Sequence, residues 1–364
     1  MRLGVSAAVV EGHLLSGDIE IDDGAIVAVG VTGSGGKGTA LPGFIDIHTH
    51  GYDGVDFADA SAEEMNRASV ALASTGVTGF QPTLLTLGES DLVAALGRHS
   101  EASYEGARFL GTHLEGPFLS PAHPGAHDPE LLLAPDVELC RRLLAAGSVS
   151  QMTLAPELRG AGEVIETLLE AGCTVALGHS DASADVAHKA FDTGASILTH
   201  VFNASRPFSH RDPGIVGAAL TRGDVVITAV VDNVHLSKEA TLLAMGVGPD
   251  RFAVVTDAMA GTGRGDGTYT LGNRQVTVRG SEARLADGTI ASSVLTMDAA
   301  LRNLVELGWD IDQASSAVAR SPAAAIHRTD LGILAVGGAA DVVVVDDDLT
   351  VVATMVAGEE TYRR

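Results

Sequence analysis

The chain has 364 residues, and 47 Asp and Glu against 23 Lys and Arg give it a formal net charge of −24. That charge argues against nucleic acid and anionic membrane surfaces as partners, and an anionic small molecule would need local Arg or His groups to hold it. The length allows one large domain of roughly 250 residues beside a smaller one, and 46% hydrophobic residues with only 4% aromatic ones suit an Ala/Val/Leu-packed α/β core. Cys140 and Cys173 are the only cysteines, which excludes a disulfide framework and suits a reducing compartment. Residues 1–10 lack a full signal-peptide core, and no apolar run approaches the ~18 residues of a membrane span. A cytoplasmic protein is expected.

In chain order, residues 1–40 alternate strand and turn without helix, and Asp23-Gly24 is a strong hairpin signal. From residue 41 onward, apolar strand-like runs alternate with Ala/Leu/Glu-rich helical ones. The strands should end near His48, Leu85, Glu115, Glu157, His179, His200, His235 and Asp257. Helices are expected over 62–75, 136–147, 162–172 and 184–194, capped by Ser61 or Asp136 and stopped by Gly76, Gly147, Gly172 and Gly194. Eight such repeats predict a (β/α)8 TIM barrel over residues 41–330. A doubly wound open sheet is the alternative, but no Gly-x-Gly-x-x-Gly opens a helix. Residues 268–289 read as a hairpin around Gly272-Asn273 that overhangs the barrel mouth. Residues 331–364 return to strand, with 341–345 the clearest run, so residues 1–40 and 331–364 are expected to pair as a small β-sandwich.

The chemistry concentrates at the predicted strand ends. His48 and His50 alternate onto one side of the first strand, poised to share a cation. Glu115 closes the third strand, His179 the fifth, His200 the sixth and Asp257 the eighth. In a barrel, ligands and catalytic groups sit at these C-terminal ends. Any one of these residues alone reads more simply as a capping group; six in register make coincidence a poor account. Imidazole with carboxylate suits Zn²⁺, with Fe²⁺ or Mn²⁺ as competitors, and Glu115 can bridge two ions. Such a centre acidifies a bound water to a pKa of about 7, so hydrolysis is its natural use.

With these motifs the whole chain resembles the amidohydrolase superfamily, and within it the N-acetylglucosamine-6-phosphate deacetylases. The resemblance rests on residues 42–51, 113–118 (HLEGPF), 178–181, 199–204 (THVFNA), 232–235, 256–259, 295–297 and the Gly/Ala-rich 332–341. It implies hydrolysis of N-acetyl-D-glucosamine 6-phosphate, with another N-acetylated substrate, such as N-acetylgalactosamine 6-phosphate or an N-acyl amino acid, as the rival and a non-catalytic scaffold as the remote alternative. Glu115, His179 and His200 would hold the principal metal. His48 and His50 would hold a second ion that Asp257 can touch, giving two ions per subunit. Asp257 would be the catalytic acid/base, and His127, in the lid-like loop 117–135, would polarise the acetyl carbonyl. Ala126, Asn203, Ala204 and the main chain of Ala291, Ser292 and Ser293 would surround the sugar, Ser292 standing where the family often has Gly. Arg211 and His235 would hold the phosphate, in a site completed across a homodimer interface.

Overall fold

Eight parallel strands form the centre of the computed structural model, which describes residues 1–33 and 35–364. They are Phe44–Thr49, Val77–Leu84, Thr112–Glu115, Val149–Leu154, Thr174–Leu177, Ile197–Leu198, Val226–Ala229 and Phe252–Val254. Each pairs in parallel with the next, from the first through to the eighth. Nearly every residue on them is buried, as strands covered on both faces require.

The seam between the eighth strand and the first has no regular ladder. It is stitched at the C-terminal mouth instead, where Asp257 N–H donates to His48 O at 2.8 Å and His50 N–H to Ala258 O at 2.7 Å. Below them, the fully buried Asp46 accepts from the Thr256 hydroxyl at 2.5 Å and from its backbone N–H at 3.2 Å. The barrel is thus nearly closed, and its final joint is made by predicted ligands and the residues beside them.

The helices start and stop for local reasons. Ala62–Ala73 opens on a capping box between Ser61 and Glu64, and Val137–Ala146 opens on the Asp136 carboxylate, which accepts from Leu139 N–H. Gly76 ends the first connection at φ +88°, and a Cβ there would stand 2.5 Å from the Phe44 ring. Only glycine fits both demands. Inward faces such as Val164, Ile165 and Leu168 are buried against the barrel, each contributing about 1.5–3 kcal/mol by burial.

Both chain ends join one six-stranded sheet in the order His13–Ser16, Ala7–Val10, Thr39–Pro42, Val342–Val345, Val351–Val356, Glu359–Arg363. Thr39–Pro42 lies between a parallel and an antiparallel neighbour and runs straight on into the first barrel strand. A hairpin of Asp18–Asp22 and Ala25–Val31 packs on this sheet through Ile19, Ile21 and Ile26, making the second layer of a sandwich. Its turn, Asp23-Gly24, has positive φ at both residues (+47° and +73°), as a two-residue hairpin prefers. The guanidinium of Arg108 grips the Asp341 carboxylate at 2.7 and 3.2 Å, tying sandwich to barrel.

After the eighth strand, a four-stranded antiparallel sheet (Gly267–Leu271, Arg274–Arg279, Glu282–Arg284, Ile290–Ser292) turns at Gly272-Asn273. It buries Leu271, Val276 and Val278 against Leu85, Ala126 and Met259, beside the barrel mouth. One element departs from the sequence reading. The seventh strand stops at Ala229, not near His235, because the Asp232 carboxylate draws the N–H groups of Val234 and His235 into a tight turn.

Candidate metal centre and active site

The six anticipated ligands converge in one buried cluster at the C-terminal mouth. His179, His200 and Asp257 each lie just past the end of a strand in left-handed conformation (φ +48°, +26° and +51°). Such backbone costs of order 1–3 kcal/mol per residue and is found at sites where packing over-determines it. Glu115 is the hub. Its Oε1 lies 3.0 Å from His179 Nε2, 3.1 Å from His200 Nε2 and 3.5 Å from His48 Nε2. Its Oε2 lies 3.4 Å from His50 Nε2 and 3.3 Å from His127 Nε2. Asp257 Oδ1 stands 3.2 Å from His50 Nε2 and 3.7 Å from His48 Nε2.

The donor chemistry fits a divalent cation. His50 Nδ1 donates to the Thr83 carbonyl at 3.2 Å, and His179 Nδ1 donates to the His123 carbonyl at 3.0 Å. In a neutral imidazole the other nitrogen then carries a lone pair, which in both residues points at Glu115. Nε2 atoms also face one another at 3.2 Å (His48 and His50) and 3.1 Å (His179 and His200), an arrangement that a shared proton or a cation between them satisfies. The titration behaviour says the same. Burial alone would raise Glu115, but His48 and His179 hold it well below the usual carboxylate range. Burial would lower His50, yet Asp257 and Glu115 push it up to about 10. The carboxylates recruit protons where a cation would serve.

Two groups of ligand atoms each lie within 4.8 Å of one another: His48, His50 and Asp257, and Glu115, His127 and His179. His200 joins the second group through Glu115 Oε1, and its Nδ1 is buried without a hydrogen-bond partner among the described residues.

The pocket above this cluster is lined by Ala126, His127, Asn203, Ala204, His235 and Ala291 together with His50, Glu115, His179, His200 and Asp257. Three anticipated residues are placed elsewhere. Arg211 is exposed on the loop after the sixth strand and does not line the pocket. Its neighbour Asp212 pairs instead with Arg206, at 2.9 and 2.7 Å. Ser292 and Ser293 are buried, and their hydroxyls donate to the carbonyls of Asp257 and Thr256, so they brace the eighth strand. His235 is fixed by Asp232, whose Oδ2 takes Nδ1–H at 2.7 Å, and its Nε2 lies 3.8 Å from Asp257 Oδ2.

Sequence reasoning passed over the residues that orient the ligands: Thr83, Asp46, Asp232 and the main chain of His123. His113 is buried below the cluster with its ring 4.7 Å from that of His48, and bonds Thr83 and Thr153. Only Asp232 had a signal, three residues before His235 in a segment already singled out.

The amidohydrolase family profile matches residues 39–361. The N-acetylglucosamine-6-phosphate deacetylase of Bacillus subtilis is 37% identical over 335 residues, covering 88% of this chain and 84% of the relative. The N-acetylgalactosamine-6-phosphate deacetylase of Escherichia coli O157:H7 is 34% identical over 371 residues, covering 96% of each. Among solved structures, a mutant N-acetyl-D-glucosamine-6-phosphate deacetylase of Mycobacterium smegmatis, in complex with N-acetyl-D-glucosamine-6-phosphate, superposes with a TM-score of 0.93 at 36% identity over 99% of both chains. The chain belongs to the amidohydrolase family.

Proposed function

We propose that this protein hydrolyses N-acetyl-D-glucosamine 6-phosphate to D-glucosamine 6-phosphate and acetate, as a cytoplasmic enzyme of amino-sugar catabolism or cell-wall recycling. The observation that carries the reading is the Glu115-centred cluster of imidazoles beneath a pocket lined by His127, Asn203, Ala204 and His235. Glu115, His179 and His200 would hold the principal divalent ion and His48 with His50 a second, Glu115 bridging and Asp257 touching the latter; Zn²⁺ suits the set best, with Fe²⁺ or Mn²⁺ next. A bound ion of this kind supplies Lewis-acid polarisation and acidifies water.

The chain's own groups do the rest. Asp257 takes a proton from the attacking water as its oxygen bonds to the acetyl carbon, then passes that proton to the sugar nitrogen as the C–N bond breaks. A positioned acid/base of this kind contributes about 10²–10⁴-fold. His127 Nε2 donates to the acetyl oxygen as negative charge develops there. Ala126, Asn203, Ala204 and Ala291 surround the sugar, with Ser292 and Ser293 behind. His235 and Arg211 hold the phosphate, Arg being suited to bidentate contact. Because Arg211 sits outside the pocket of its own chain, this reading places it at the phosphate of a second copy, in a homodimer.

The test is turnover by metal-loaded protein of N-acetylglucosamine 6-phosphate, its galactosamine epimer and unphosphorylated N-acetylglucosamine. Preference for the first supports the proposal. Preference for the epimer would favour the second reading, for which the 34% identical Escherichia coli relative speaks. Equal use of the unphosphorylated sugar would refute the phosphate site.

A further inference from the structure

The second barrel strand supplies none of the anticipated site residues, yet the turn after it governs what one of them can do. Thr86, two residues past that strand and almost fully buried, faces His127, which is equally buried. The Thr86 backbone N–H donates to His127 Nδ1 at 3.2 Å. Its hydroxyl lies 3.1 Å from the same nitrogen and 3.3 Å from the Glu115 carbonyl oxygen. A backbone amide can only donate, so Nδ1 is the accepting nitrogen. A neutral imidazole has one donor and one acceptor, so Nε2 must carry the proton. That nitrogen stands 3.3 Å from Glu115 Oε2, at the edge of the pocket.

His50 and His179 are wired in the opposite sense. Their Nδ1 atoms face carbonyl oxygens and must donate, which in the neutral ring leaves the lone pair on Nε2. Proximity alone groups His127 with Glu115 and His179 as ligand atoms; the hydrogen bonds separate it from them.

The geometry points to Thr86 as the positioning residue that holds His127 as a hydrogen-bond donor in the pocket and thereby removes it from the ligand set. The inference rests on the reading of His127 as the group that polarises the acyl oxygen, and it extends that reading to a residue from a strand otherwise silent in the site. A His127 of the other tautomer would aim a lone pair at Glu115 and at the substrate oxygen alike, repelling both. The backbone amide of Thr86 forbids that state, while its hydroxyl, donating to the Glu115 carbonyl, anchors the turn that presents the amide.

Two measurements test this. In full-length protein labelled with ¹⁵N-histidine, the ring assigned to His127 by its loss in His127→Gln should show a protonated Nε2 and an unprotonated Nδ1. That pattern should persist when metal is stripped and restored. A proton on Nδ1, or loss of the Nε2 proton on metal loading, overturns the inference, whatever the substrate proves to be. In the second, Thr86→Val removes the hydroxyl and Thr86→Ser restores it. The Val variant should lose roughly five- to tenfold in kcat, the worth of about one neutral hydrogen bond, with KM within about twofold and metal content unchanged. The Ser variant should recover most of the loss. Unchanged kcat in Thr86→Val would overturn the hydroxyl's part and leave the backbone amide alone to set the tautomer, whereas kcat and metal falling in step would show that Thr86 only supports the fold. Wild-type protein inactive on every acetylated sugar would defeat the functional reading, while the tautomer would still be decided by the ring nitrogens.

Discussion

Replacing Glu115 with Gln is the sharpest perturbation available to this centre. The change keeps the side chain's size and shape but removes the charge on which five imidazole nitrogens converge, at 3.0 to 3.5 Å. Removing one partner of a buried charge pair costs about 3–5 kcal/mol. At roughly 1.4 kcal/mol per decade, metal affinity should fall by about two to three and a half orders of magnitude. Competition between the protein and a chromophoric chelator reads this directly, and metal per chain after dialysis gives an independent check. Far-ultraviolet circular dichroism of the metal-free proteins should be superimposable, since the substitution is isosteric. A Gln variant that binds metal within a factor of ten of wild type would refute the reasoning, because Glu115 would then not be a ligand.

Other outcomes follow from the same geometry. Asp257→Asn should lower kcat by about 10²–10⁴-fold while the ion assigned to Glu115, His179 and His200 is retained; retained activity would end its role as acid/base. The double change His48→Ala, His50→Ala should leave about one metal ion per chain where the two-ion reading expects two in wild type, read by elemental analysis; an unchanged count would mean the pair binds no ion. His99, far from solvent and bonded to Thr112 Oγ1 and the Phe57 carbonyl, is held at about 4 by burial, against an ordinary 6.5. Below pH 6.5 the unfolded chain takes up a proton that the native His99 refuses. Stability present above that pH should therefore drain away as pH falls towards 4, by roughly 3 kcal/mol. Urea unfolding from pH 7 to 4 should show a shallower decline in His99→Gln than in wild type, and identical slopes would contradict the assignment.

Much of the architecture was legible because its signals are local. Helix starts at Ser61 and Asp136, the Asp23-Gly24 and Gly272-Asn273 turns, and acidic or imidazole residues at the ends of apolar runs all depend on near neighbours. The His235 turn was misjudged because its cause is a side chain, Asp232, competing with the strand ladder for backbone donors. Arg211 shows a different limit. Its type suits a phosphate, but where a loop carries it depends on packing that no spacing rule encodes. Thr83 and Thr86 were illegible for a third reason: they act through a main-chain carbonyl and amide, which every residue possesses.

The joint between the eighth strand and the first gives the barrel a preferred point of opening. Ladder bonds run along the other interfaces, whereas this one depends on Asp46 with Thr256 and on backbone bonds from Asp257 and His50. Those last two residues belong to the predicted ion site, so a bound ion would act as a rivet across the joint. Removing it should raise amide exchange first at Asp257, Ala258 and His50, well before the ladder between the fourth and fifth strands responds. Loss of cofactor and loosening of the scaffold would then be one event, and a cell short of the metal would hold a protein opened along a single line.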